Sequence, residues 1–163
     1  MQRLNAASTF ESPGATTLVE LLQSNAVKFP EKQAFCFYRG DGESEISLTY
    51  RALHERAKAI GAHLQQMTAP RECVLLFYPP GLEFIEAFLG CLYAGVVAVP
   101  VALPARNRST AHIEAILNAS NPSSILSTAK HCRTAQQTYS QMPTLLDRPW
   151  IATDLISSDK QQA

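Results

Sequence analysis

Charge is scarce in this chain. Asp, Glu, Lys and Arg make up 17% of its 163 residues, and 14 basic side chains balance 14 acidic ones. A nucleic-acid binder neutralises phosphates with clustered Lys and Arg. An interspersed, neutral pattern lacks that footprint, and it lacks equally the polybasic face of a membrane-surface protein. Glycine is also sparse: seven residues, dispersed, with no GxGxxG and no GxxxxGK followed by Ser or Thr. Nor is there a Ser/Thr/Gly-rich loop ending in Lys, so the backbone cradle that phosphates require is missing. The four cysteines, Cys36, Cys73, Cys91 and Cys132, form no CxxC pair. That disfavours zinc ribbons and thioredoxin-like sites. Three of them sit in apolar stretches, where a free thiol acts as a small core residue, and a reducing, cytoplasmic compartment is expected.

No uninterrupted apolar run reaches the roughly 20 residues needed to cross a bilayer. Ala87–Leu103 holds seventeen residues without a charge, but Gly90, Gly95 and Pro100 break it and Glu86 precedes it. It reads as a buried helix followed by a buried strand, with no membrane span. The leading residues MQRLNAASTFESPG contain Glu11 and no apolar core, which is not the pattern of a secretory signal.

What is present is a core. Apolar residues make up 46% of the chain, and a chain of this size can bury roughly 70% of its unfolded surface. Residues 1–15 read as a flexible lead-in, 16–156 as one α/β subdomain and 157–163 as a frayed tail. Thr17 with Glu20 three residues on matches a capping box. The helix it opens places Leu18, Leu21, Leu22, Ala26 and Phe29 on one face, and Pro30 closes it. Two short strands, Ala34–Tyr38 and Ile46–Leu48, flank Arg39-Gly40-Asp41-Gly42, whose glycines suit a turn. Thr49 is a plausible N-cap for a stronger helix, in which Leu53, Ala57, Ile60, Leu64 and Met67 form one 3.6-residue stripe. Arg51, Glu55, Lys58 and Gln65 fall on its solvated faces.

Beyond that helix the pattern changes. Cys73–Phe77 is a continuous apolar run, as expected of a strand covered on both faces. The turn Tyr78-Pro79-Pro80-Gly81 leads into a helix over Leu82–Tyr93, which Gly95 ends. Val96–Val99 and Ser124–Ser127 read as strands, Thr110–Ala119 and Thr128–Tyr139 as helices, and Trp150–Thr153 as a last strand. Alternating strands and helices predict an α/β fold, a mostly parallel sheet with helices on both faces.

Few residues offer chemistry. His112-Ile113-Glu114 resembles half of a zinc deaminase signature, but no PCxxC follows. His131 and Cys132 are adjacent and point apart on a helix, while His54 and His63 fall on the exposed side of theirs. Structural or surface roles are expected for all four histidines. Glu83 and Glu86 lie one turn apart and are expected to form the polar edge of their helix, with Glu83 suited to the N-terminal dipole. Ligands of open α/β sheets collect at the carboxyl ends of strands, where Tyr78-Pro79-Pro80-Gly81 lies. Two prolines remove amide donors there, so the turn suits the wall of an apolar tunnel better than a phosphate.

Two segments carry a family resemblance. Ser47-Leu48-Thr49-Tyr50-Arg51-Ala52-Leu53 and Leu92-Tyr93-Ala94-Gly95-Val96-Val97-Ala98-Val99-Pro100 resemble, in order and separation, the first two core motifs of the adenylate-forming superfamily. The longer string LLFYPPGLEFIEAFLGCLYAGVVAVPVALP is similar to fatty acyl-AMP ligases. Val101-Ala102 stands where amino-acid-activating relatives place Ile-Asp. Ala102-Leu103-Pro104 stands where many fatty acyl-AMP ligases carry an aromatic residue and two prolines.

The resemblance implies activation of a fatty acid with ATP and magnesium, then transfer of the acyl group to an acyl carrier protein in polyketide, peptide or lipid synthesis. It implies that the phosphate-gripping loop, the magnesium carboxylate and the catalytic Lys lie outside this chain. No catalytic, cofactor or metal residue is therefore assigned here, and ATP and magnesium belong to the longer parent. Within the acyl tunnel that the resemblance implies, Tyr78, Pro79, Gly81 and Phe84 are the candidate substrate contacts. An acyl-CoA synthetase fragment, or a non-catalytic acyl- or protein-binding module, are the alternatives. A sheet edge left open would favour self-association. The purified 163-residue chain is expected to show no ATP–pyrophosphate exchange with any fatty acid; robust exchange would overturn this assignment.

Overall fold

A computed structural model describes residues 14–38, 45–104 and 110–157. The lead-in before Gly14, the Arg39–Gly42 turn and the tail beyond Ser157 lie outside the described residues.

Helix α1 (Leu18–Lys28) begins where the capping box predicts. The Glu20 amide donates to Thr17 Oγ1 at 3.1 Å, and the Glu20 carboxylate accepts from the Thr17 amide at 3.2 Å. Leu22 and Asn25 are its buried residues, while Leu18 and Phe29, at the ends of the expected stripe, are about half exposed. Strands β1 (Gln33–Tyr38) and β2 (Glu45–Thr49) pair antiparallel as a separate two-stranded ribbon.

Helix α2 (Tyr50–Gln65) starts with the Ala52 amide donating to Thr49 Oγ1 at 3.2 Å. Leu53, Ala57, Ile60 and Leu64 are sealed from solvent, whereas Met67, past the helix end, is 55% exposed. Arg51, Glu55, Lys58 and Gln65 are exposed, as their period requires.

The remaining elements are β3 (Cys73–Leu76), α3 (Leu82–Ala94), β4 (Val97–Pro100), α4 (Ala111–Ser120), β5 (Ser124–Ser127), α5 (Ala129–Thr138), α6 (Pro143–Leu146) and β6 (Trp150–Ala152). Their four strands form one sheet in the order β4-β3-β5-β6, parallel throughout. Thr153, expected at the end of the last strand, instead opens a single 3-10 turn, Thr153–Leu155. Helix α6 has four residues, too few to leave a periodic signal.

Alternation along β3 explains the layers. Val74, Leu76 and Tyr78 join Ile60, Leu64, Ala87 and Cys91 in a core beneath α2 and α3. Leu75 and Phe77 point the other way, into a core with Ile113, Leu117, Ala135 and Leu145 from α4, α5 and α6. Helices therefore cover both faces, as the sequence predicts. The chain moves outward from β3 to β4, then crosses back to β5, so the strand order reverses between β3 and β5. That makes their carboxyl ends the topological switch point.

Helices α2 and α3 cross at glycines. A Cβ on Gly90 would lie 2.5 Å from Ile60 Cγ2 and 2.8 Å from Ile60 Cβ; one on Gly61 would lie 2.7 Å from Tyr93 Cβ. These positions are closed by sterics, since both glycines sit inside helices where any residue could adopt the backbone. Gly95 is different: it caps α3 with φ of 72°, which favours a residue without Cβ. Gly61→Ala and Gly90→Ala are each expected to cost about 1–3 kcal/mol through overpacking, set against about 1 kcal/mol gained in helix propensity. Urea midpoints check this, and midpoints raised in both variants would mean the helices do not approach so closely.

Candidate functional site

The turn after β3 carries the site. The Phe77 amide makes the last sheet bond, to the Leu126 carbonyl at 3.0 Å; Pro79 and Pro80 have no amide hydrogen, so pairing stops there. Gly81 is the N-cap of α3. Because β3 and β4 are parallel neighbours, their carboxyl ends lie side by side. Between them is a mainly apolar cavity of about 490 Å³, lined by Tyr78, Pro79, Pro80, Gly81 and Phe84 against Pro100, Val101, Ala102 and Leu103. All four residues singled out from the sequence thus share one cavity. The second wall was missed, although strand adjacency, once known, names it.

The aromatic wall is interlocked. Tyr78 meets Phe84 edge-on with ring centres 6.4 Å apart, and Phe84 stacks on Phe88 at 6.4 Å. The Tyr78 hydroxyl is buried and shares a 2.8 Å hydrogen bond with Thr153 Oγ1. Burial pushes the phenol well above its ordinary range, and the bond to Thr153 offsets only part of that. Tyr78 therefore stays neutral and serves as wall, not as an acid or base.

Across the same turn, at the switch point, a cleft of about 300 Å³ is bordered by Phe37, Ile46, Glu83, Thr128, Lys130 and Asp154. Two of its polar groups cap α5: the Ala129 amide donates to Asp154 Oδ1 at 2.7 Å and the His131 amide to Thr128 Oγ1 at 3.3 Å.

Two expectations need correction. Glu86 does not share a polar edge with Glu83; it is 9% exposed and turned inward. Its partner comes from α2, where Arg56 Nε donates to it at 3.2 Å. The same guanidinium donates from Nη2 to the Thr153 carbonyl at 2.9 Å and from Nη1 to the Ile156 carbonyl at 2.6 Å. Burial raises the Glu86 carboxyl above its ordinary value, and Arg56 pulls it partly back. His54, read as exposed, is half-buried, with Nδ1 2.7 Å from the Tyr93 hydroxyl. A residue 39 positions away supplies that contact, and helical period cannot reveal it.

His131 has a structural setting. Its Nδ1 lies 2.8 Å from Ser127 Oγ and its Nε2 2.7 Å from the Tyr139 hydroxyl. The group resembles a nucleophile relay, but Ser127 is fully buried and donates to the Phe77 carbonyl at 2.6 Å. Among the described residues no three His, Cys, Asp or Glu converge as a metal-holding group. No donor set among the described residues therefore fits magnesium. Among the described residues no helix is long and apolar enough to cross a membrane. The described residues lining the cavity between β3 and β4 are mainly apolar.

An apolar cavity at the strand ends of a four-stranded parallel sheet, with helices on both faces, places the chain in the α/β class. The AMP-binding enzyme family matches residues 22–163, and the chain belongs to that family. It is 37% identical over 155 residues to the medium-chain-fatty-acid–[acyl-carrier-protein] ligase JamA of Moorena producens, covering 92% of this chain and 26% of JamA. It is 35% identical over 129 residues to the 4-hydroxyphenylalkanoate adenylyltransferase of Mycobacterium marinum, covering 77% of this chain and 21% of that enzyme. The fatty acid AMP ligase structure from Legionella pneumophila superposes with a TM-score of 0.81 at 35% identity, over 93% of this chain and 26% of that one. The chain therefore spans about a quarter of the length of the relatives it matches.

Arg56→Ala strands a buried carboxylate, with an expected cost of about 3–5 kcal/mol at neutral pH. A carboxyl raised in the folded state adds stability that is full below its unfolded value of 4.5 and lost as pH rises through the folded value. Without Arg56 the folded value rises further, so the deficit should grow from pH 4.5 toward neutrality. Urea unfolding across that range checks the sign; a deficit independent of pH would remove Glu86 from the account.

Proposed function

We propose that this chain is the leading part of a fatty acyl-AMP ligase, with residues 16–156 forming the first α/β subdomain of its AMP-binding domain. In that reaction the fatty carboxylate attacks the α-phosphorus of ATP and pyrophosphate leaves. The phosphopantetheine thiolate of an acyl carrier protein then attacks the acyl carbon, and AMP leaves. A carboxylate is inert to thiols until its oxygen becomes a good leaving group, which is what adenylation supplies. ATP is a substrate of the whole enzyme and magnesium its counter-ion; the residues gripping them belong to the rest of the enzyme. The setting is cytoplasmic. The half-exposed β4 edge at Val97 is where isolated chains would associate.

In this proposal the chain contributes acyl binding. The observation that carries the reading is the cavity of about 490 Å³ between Tyr78–Phe84 and Pro100–Leu103, a size within the roughly 300–1,000 Å³ of small-molecule sites. Support comes also from relatives of two substrate types, fatty and hydroxyphenylalkanoic, each an apolar body behind a carboxylate. A second Legionella pneumophila structure, of a fatty acyl-adenylate ligase 36% identical to this chain, holds acyl adenylate and pyrophosphate.

Ala102 tests the pocket without disturbing the core, because it is exposed at the rim. In the full-length enzyme, Ala102→Trp is expected to lower kcat/KM for hexadecanoic acid relative to octanoic acid, on the order of tenfold. Equal losses for both acids would put the acyl chain elsewhere.

A further inference from the structure

Tyr78 belongs to two environments at once. Its ring packs in the α2–α3 core and lines the apolar cavity. A buried hydroxyl without a partner is strongly disfavoured, so the ring settles where its oxygen is bonded. That partner is Thr153 Oγ1 at 2.8 Å. Thr153 cannot drift to follow a moving ring. It is 1% exposed, its Oγ1 also donates to the Ser127 carbonyl at 3.4 Å, and its own carbonyl accepts from Arg56 at 2.9 Å. With the Thr153 proton directed to Ser127, Tyr78 is the donor in the pair.

We propose that Thr153, which does not itself line the cavity, is a positioning residue that sets its bore by holding the Tyr78 ring against the core. The inference rests on the reading that the cavity takes an acyl chain. Remove the Thr153 hydroxyl and the Tyr78 oxygen is stranded inside the core. The ring's route to water is through the cavity, where it narrows the space for the far end of a long acid. Short acids, which do not reach that end, lose little.

The test uses the full-length enzyme and ATP-dependent adenylation of octanoic and hexadecanoic acids, with thermal melting of each variant. Thr153→Val is expected to lower the hexadecanoate-to-octanoate ratio of kcat/KM on the order of tenfold, the scale of stranding one buried hydroxyl. Thr153→Ser keeps the tether and should track the wild type. Adding Tyr78→Phe to Thr153→Val removes the stranded oxygen and should restore the ratio. A purely structural role would depress both acids together, with the double variant worse still. A folded Thr153→Val enzyme with an unmoved ratio, or a double variant that recovers nothing, overturns the inference. If Thr153→Val fails to fold, Tyr78→Leu decides instead. Opening the wall should raise the ratio, and an unmoved ratio overturns the inference. A wild-type enzyme that adenylates no fatty acid defeats the functional reading itself, an outcome separable from the others.

Discussion

One guanidinium ties this fold together. Arg56 reaches from α2 to Glu86 on α3 and to the Thr153 and Ile156 carbonyls after β6. It thereby joins the helical layer to the carboxyl end of the sheet's far strand. A buried ion pair contributes little net stability when its desolvation is counted, and burial does win over Arg56 at Glu86. Its value lies in geometry: two directed donors, one to the Thr153 carbonyl and one to the Ile156 carbonyl, place the backbone after β6. Thr153 then holds Tyr78, Tyr78 bears on Phe84, and these rings form one wall of the cavity.

The α2–α3 crossing is the second requirement. Without Cβ atoms at Gly61 and Gly90 the two backbones pass closely, which brings Arg56 within reach of Glu86. The same approach seats Ile60 and Leu64 over Val74 and Leu76, sealing one face of β3. The opposite face is sealed by Phe77, whose ring lies between His131, Tyr139 and Trp150. A strand so enclosed is a fixed platform for the turn that follows it.

Most of this architecture was legible in the sequence because it rests on local rules. Thr17 with Glu20, the 3.6-residue stripe of α2, the apolar run of β3 and Gly95 at the end of α3 each signal themselves within a few residues. The Tyr78–Gly81 turn could be singled out because two prolines after a buried strand leave apolar faces and few donors, while Phe84 was named only through the tunnel that the family resemblance implies. What escaped depends on pairs distant in the chain. Arg56 and Glu86 are 30 positions apart, and Glu86 reads singly as part of a polar helix edge. Tyr78 and Thr153 are 75 apart. Pro100–Leu103 enters the cavity through strand order, which no local pattern encodes, and α6, with four residues, is barely one helical turn.

The central claim is that the turn after β3 and the end of β4 enclose the acyl chain of the substrate. The most direct measurement is photolabelling of the full-length enzyme with a diazirine-tipped fatty acid in the presence of ATP, followed by peptide mapping. The account predicts label on Tyr78–Phe84 or Pro100–Leu103. Efficient labelling confined to other segments would contradict it.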